Sequence, residues 1–217
     1  HRGENYHIKE LENWIKKIGV KKNILKCGIH YPLNIKATEK LIRSKNKANE
    51  LHNNCAGKHL AMITSCLVKK YNTSNYLSFY HPHQVRIRKV FEKFTNKKIS
   101  KKNFGIDGCS APQYCFKIKE INKMLINLIK SYNNNFYYSN QVKNIINSVI
   151  KNPKFIGGSD SLDSKIMEIA NNRIFCKGGA EGVFLFIDIK KGIAGVVKVE
   201  DGNERAIPSF IYKLFKK

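Results

Sequence analysis

The chain has 217 residues and a mass of 25.0 kDa, with 40 Lys and Arg against 16 Asp and Glu, for a formal net charge of +24. A hydrophobic fraction of 42% with 11% aromatic residues can build a core and excludes an intrinsically disordered chain, and the length suits one domain or one and a half. No apolar run approaches the roughly 18 residues that span a bilayer, so no membrane segment is expected.

In chain order, the first two thirds are helical in period. Ile8, Leu11, Trp14, Ile15 and Ile18 recur at three and four residues and stop at Gly19, the pattern of a helix with a glycine C-terminus. Further stripes run through Ala37 and Leu41, through Leu60, Ile63 and Leu67, and through Val90, Phe91 and Phe94 after His81-Pro82. Others extend from Ile118 to Ile129, around Val142 to Val149, and from Leu162 to Ile169. The tract from Asn133 to Tyr138 reads as a surface loop. The last third changes character: Arg173 to Cys176, Val183 to Ile189 and Ile193 to Val199 are rich in β-branched and aromatic residues, with Lys190-Lys191-Gly192 as a hairpin turn. Asp201-Gly202 closes that meander and Ile207 to Phe215 reads as a final helix. The order predicts an α+β chain, helical over about 6–170, with an antiparallel meander and terminal helix over about 173–217. Such a meander needs further strands, and a chain that opens on His1 rather than Met is expected to lack an upstream part.

The charge invites a nucleic-acid reading, because a basic surface releases counterions from phosphate. Its composition points elsewhere: 34 Lys, only 6 Arg and 24 Asn match A/T-rich codon bias better than the Arg fork used in base and phosphate recognition. The densest basic patch, Lys97-Lys98 with Lys101-Lys102, reads as a solvated loop. Nucleic-acid binding therefore stands as the alternative from another class, and no such partner is expected. The six cysteines are scattered through a chain able to form its own core, so reduced thiols in a cytoplasmic protein are expected rather than a disulfide scaffold.

Three polar segments could carry chemistry. In His52-Asn53-Asn54-Cys55-Ala56-Gly57-Lys58-His59, Asn53 or Asn54 can cap a helix. Cys55 then falls in its first turn, where free N–H groups and Lys58 three residues on both favour a thiolate. A capped helix with a structural thiol is the plainer account. Gly105-Ile106-Asp107-Gly108-Cys109-Ser110-Ala111-Pro112-Gln113 reads as a glycine-flanked turn that presents an acid and a thiol. Cys55 and Cys109 with a nitrogen donor could form a tetrahedral zinc site, although their spacing alone is equally that of two unrelated thiols. In Lys177-Gly178-Gly179-Ala180-Glu181-Gly182, a lysine leaves a strand into a glycine-rich stretch, as in β-lactamases and penicillin-binding proteins; a plain hairpin needs the same glycines.

Together and in this order the three segments resemble the bacterial L-asparaginase II family, the third-class, rhizobial-type asparaginases. Supporting matches are His1-x-Gly3-Glu4, Cys27-Gly28-x-His30-x-Pro32, His81-Pro82-x-Gln84 and Asp201-Gly202, so the resemblance runs the length of the chain. It implies a fold similar to serine β-lactamases and glutaminases, a homodimer, and hydrolysis of the side-chain amide of L-asparagine to L-aspartate and ammonia. It further implies that Cys55, Lys58 and Cys109 bind zinc, that Asp107, His59 and Asn54 lie at the substrate or around the metal, and that Lys177 activates a serine. The family's nucleophilic serines precede the region that begins at His1, so the chain by itself is expected to be inactive. Ser161-Leu162-Asp163 stands where relatives carry Arg-Phe-Asp, which puts a substrate contact or local packing in question. A glutaminase or β-lactamase-like amidohydrolase is the alternative within the same class.

Overall fold

The computed structural model describes residues 1–171 and 173–215. The chain divides into two compact units, one of residues 1–92 and 98–115, the other of 93–97 and 116–217.

The first unit is built on helices α1 (Asn5–Ile18), α2 (Ile35–Arg43), α3 (Ala56–Val68) and most of α4 (Pro82–Thr95). α1 stops at Gly19, whose φ of 68° suits a residue without a Cβ. α3 is the centre of this unit, because Ala56, Leu60 and Ile63 recur at i, i+4 and i+7 and are completely buried. They pack with Leu11, Leu25, Leu51 and Tyr76. Burying side chains the size of Leu60 or Ile63 stabilises the unit by about 1.5–3 kcal/mol each. Leu67, on the same expected stripe, is 40% exposed, so the buried face of α3 ends a turn before its apolar pattern does.

The segment read as one glycine-flanked turn is instead the closed end of a hairpin, β1 (Phe104–Ile106) with β2 (Pro112–Tyr114), in which Ile106 pairs with Pro112. The turn proper is short, and its polar residues are held by one carboxylate described below. Lys101, expected in a solvated loop, starts a 3₁₀ turn, Lys101–Asn103, just before β1.

The second unit contains α5 (Ile118–Asn133), α6 (Ser139–Lys151), a short α7 (Pro153–Gly157), α8 (Leu162–Ile169), and α9 (Ile207–Phe215). Its sheet has the order β3 (Ile174–Gly179), β4 (Val183–Asp188), β5 (Ile193–Lys198), all antiparallel. β4 is covered on both faces: Phe184 and Phe186 pack with Met167 of α8 and with Ile207 and Ile211 of α9, while Leu185 and Ile187 pack with Leu125 and Ile129 of α5. That double burial is why β4 reads as an unbroken apolar run rather than an alternation. Lys177-Gly178-Gly179 does not leave the strand as the sequence implied. It stays in β3, opposite Leu185, Phe184 and Val183, and the reversal falls at residues 180–182, where Glu181 and Gly182 take φ of 60° and 64°.

Mixed helices with antiparallel sheets make the α+β class plain. No helix among the described residues is long and apolar enough to cross a membrane.

Candidate functional site

The sequence-selected residues gather in two polar clusters, one in each unit. In the first, Asn53 is 4% exposed and acts as a clamp. Its Nδ2 donates to the carbonyls of Cys27 (2.7 Å) and Gly28 (3.3 Å), and its Oδ1 accepts from the Cys55 N–H at 2.8 Å. This fixes Cys55 at the N-cap position of α3, φ −93° and ψ 0°, one residue earlier than the first-turn placement expected. Asn54 is exposed and does not cap the helix: its Oδ1 meets His30 Nε2 at 3.2 Å.

Lys58, in the first turn of α3, extends its Nζ to Asp107 Oδ2 at 2.7 Å. Asp107 is the organiser of the hairpin end. Its Oδ1 accepts from the Cys109 N–H (3.0 Å), the Cys109 thiol (3.0 Å) and the Ala111 N–H (2.9 Å), and its Oδ2 also accepts from Gln113 Nε2 (2.9 Å). An aspartate bonding the backbone two residues on is the standard device for closing such a turn. Burial alone would raise the Asp107 pKa, but the bonds from Cys109, Lys58, Gln113 and Ala111 outweigh it and hold the carboxyl far below its usual range. The same contacts act oppositely on Cys109: burial first, then the Asp107 carboxylate, push its thiol up to about 12. Burial would lower Lys58, yet Asp107 and Cys109 together raise it.

Lys58 and Cys109 both bond Asp107, and Cys55 lies near enough to influence the ionisation of both, so the three residues expected to hold a metal do converge, with Gln113 beside them. Among the described residues, no group of three His, Cys, Asp or Glu side chains is disposed to hold a metal ion. A metal here therefore depends on the Lys58 amine as third donor. Two thiolates and an amine suit a borderline-soft cation such as zinc, provided Lys58 gives up its proton and its pairing with Asp107.

His59 sits beneath this cluster, fully buried. Its Nδ1 lies 2.6 Å from the Tyr76 hydroxyl, while Nε2, near the Cys109 backbone, lacks a bond of good geometry. Burial, then the Lys58 charge, lower its pKa to about 4, so the ring is neutral at pH 7. It is a support for the Cys109 loop rather than an exposed group.

In the second cluster, Lys177 on β3 extends Nζ to Asp163 Oδ2 (3.0 Å) and to the Gly178 carbonyl (2.6 Å). Asp163, from the first turn of α8, is 4% exposed and also accepts from the N–H groups of Gly178 (3.2 Å) and Ser164 (3.0 Å). Desolvation opposes its ionisation, but the Lys177 charge and the bonds from Lys177 and Gly178 hold its pKa below the usual value. Ser161, where the resemblance leads to an arginine being expected, is the N-cap of α8 and accepts from the Ser164 N–H at 3.3 Å, so the helix start is secured without one. Sequence reasoning missed Asp163 as the partner of Lys177. The available signal was an acid in the first turn after a Ser cap, which is common at any helix start.

The chain matches the family described as L-asparaginase II over residues 1–217 and belongs to that family. No curated protein matches it. Membership points to an asparaginase, a hydrolase acting on a small-molecule substrate.

Proposed function

We propose that the protein is an L-asparaginase with a serine β-lactamase-like fold, hydrolysing the side-chain amide of L-asparagine through a serine–lysine pair that includes Lys177, and that Cys55, Lys58 and Cys109 form a zinc site. The observation that carries this reading is the whole-chain family match, with the three family motifs forming two organised polar clusters rather than scattered loops.

Acyl transfer from an amide needs a hydroxyl stripped of its proton and a leaving ammonia that receives one. Lys177 is half-exposed at 43% and uses two N–H groups on Asp163 and Gly178, so its third position is open: as the neutral amine its lone pair there takes the hydroxyl proton, and the ammonium so formed gives one to the leaving nitrogen. No serine hydroxyl bonds Lys177 among the described residues. Zinc, when bound, supplies Lewis-acid charge for orienting a carboxylate or amide. Asp107 and Gln113 then border the ligands as a polar wall able to orient the substrate's ammonium or amide groups. By the same resemblance the enzyme works as a homodimer, and its scattered reduced thiols suit a cytoplasmic location.

The test is ammonia release from L-asparagine and L-glutamine by this chain and by the same chain extended to the first upstream start codon. At least a tenfold preference in kcat/KM for asparagine is expected, since one methylene in a fitted pocket discriminates by about 10–200-fold. A preference for glutamine would favour the glutaminase reading. No ammonia from either substrate in the zinc-loaded extended protein would refute both.

A further inference from the structure

Lys177 is the one lysine the family resemblance singles out on β3, yet its own strand cannot hold a long flexible amine in place. What holds it is a buried carboxylate on another element. Asp163 Oδ2 accepts from Lys177 Nζ at 3.0 Å and from the Gly178 N–H at 3.2 Å, so one oxygen ties both the amine and the adjacent strand backbone. The other oxygen accepts from the Ser164 N–H at 3.0 Å, which orients the carboxylate from the start of α8. Ser161 acts one step removed, its hydroxyl meeting Ser164 Oγ at 2.8 Å and accepting the same Ser164 N–H at 3.3 Å.

The surroundings are shaped around this group. A Cβ at Gly157 would stand 2.2 Å from Asp163 Oδ1, 2.2 Å from Ser161 Oγ and 2.6 Å from Ser164 Oγ, so only a glycine leaves room for the carboxylate and its two serines. Ser164 is anchored in turn, its hydroxyl donating to the Pro153 carbonyl at 3.0 Å. The titratable groups about the pair are Lys177, Asp163 and the fully buried Cys176, whose thiol donates to the Asp163 carbonyl; opposite Lys177, β4 presents Leu185.

We propose that Asp163 is a positioning residue for the amide hydrolysis, fixing the Lys177 side-chain nitrogen so that its remaining position points at the reacting groups. The proposal rests on Lys177 being part of the catalytic apparatus. A purely structural tie between α8 and β3 would need only the bonds to the Gly178 and Ser164 N–H groups, and an asparagine at position 163 can retain one acceptor for them. The bond that asparagine cannot reproduce is the charged one to Lys177.

The experiment compares Asp163→Asn, Asp163→Glu and Lys177→Ala with the parent, in the form of the protein that releases ammonia from L-asparagine. Displacing a catalytic group by about 1 Å costs on the order of 10–100-fold. Asp163→Asn is therefore expected to lower kcat at least tenfold with KM within about threefold, and Asp163→Glu to recover part of the loss. In the same Asp163→Asn protein, competitive amine labelling read by mass spectrometry should show Lys177 modified at least threefold faster relative to exposed Lys98, because the amine is released from its pairing. Unchanged kcat in Asp163→Asn, or unchanged labelling of Lys177, overturns the proposal. Should Asp163→Asn fail to fold, Asp163→Glu, which keeps the charge but moves the carboxylate by one methylene, decides instead: a fall in kcat of at least twofold with KM within about threefold supports the role, and a parental kcat overturns it. Full activity in Lys177→Ala would instead sink the catalytic reading on which the proposal stands, and labelling would still report the pairing separately.

Discussion

Replacing Tyr76 by phenylalanine removes a single oxygen from the support of the first cluster and changes almost nothing in shape. Tyr76 and His59 are both completely buried, so no cavity opens and no water replaces the hydroxyl at once. That hydroxyl lies 2.6 Å from His59 Nδ1 and accepts the Lys26 N–H at 3.0 Å. His59 Nε2 already lacks a partner, so the variant leaves a buried imidazole with neither nitrogen satisfied. Orphaning a buried polar group costs about 1–3 kcal/mol, and the Lys26 bond contributes about 1 kcal/mol more, less whatever water recovers at the partly exposed Lys26 backbone. The expected loss is about 2–4 kcal/mol. At roughly 2–4 °C per kcal/mol for a chain of this size, thermal denaturation followed by circular dichroism should show Tm lower by about 4–16 °C. In a double-mutant cycle, Tyr76→Phe should cost much less in a His59→Leu background, because the orphaned nitrogen is then absent. A Tm shift below about 1 °C, or full additivity with His59→Leu, would refute the account of a hydroxyl that stabilises by satisfying His59.

Other consequences are equally concrete. In β5, a Cβ at Gly195 would stand 2.5 Å from Cζ and 2.6 Å from Cε1 of the buried Phe186 ring, so Gly195→Ala should destabilise by about 1–3 kcal/mol in urea denaturation; a neutral effect would mean the ring can yield. His83 is buried with Nε2 unpartnered, and burial, then the charges of His81 and Arg86, hold its pKa below 6.5 in the folded chain. A lowered folded pKa means that protonation favours the unfolded chain. The contribution of neutral His83 is thus full above about pH 6.5 and is lost as pH falls below it. Between pH 7.5 and 5 the parent's Tm should therefore fall more than that of His83→Gln, and parallel curves would count against it. Elemental analysis should find about one zinc per purified chain and almost none in the Cys55→Ser, Cys109→Ser variant; stoichiometric metal in that variant would exclude the assigned ligands.

Much of the architecture was legible in local pattern. Ile8 to Ile18 with Gly19 gave α1 and its end, and Leu162 to Ile169 gave α8 residue for residue, because apolar period and capping chemistry act within a few residues of each other. The β4 and β5 strands and the Lys190-Lys191-Gly192 turn were equally clear. The hairpin β1–β2 was hidden because each strand has three residues, too few to show a period of two, and their turn chemistry dominates the sequence. Lys177-Gly178-Gly179 looked like a loop because glycine is a poor strand residue in isolation; here its place is set by pairing with Leu185, Phe184 and Val183.

The same division holds at the candidate site. The sequence alone determined the helical and strand segments, the α+β class, the membership-bearing motifs and the identity of Cys55, Lys58, Cys109, Asp107 and Lys177, since residue type and short spacing are one-dimensional properties. Only the tertiary structure decided which of them meet. Forty-nine residues separate Lys58 from Asp107 and fourteen separate Asp163 from Lys177. It also decided the charge states: burial and then the Asp107 carboxylate push Cys109 up, the same contact helps hold Asp107 down, and His59 is kept neutral by burial beneath them. Long-range proximity and desolvation are properties of the packed chain, and no local pattern encodes either one.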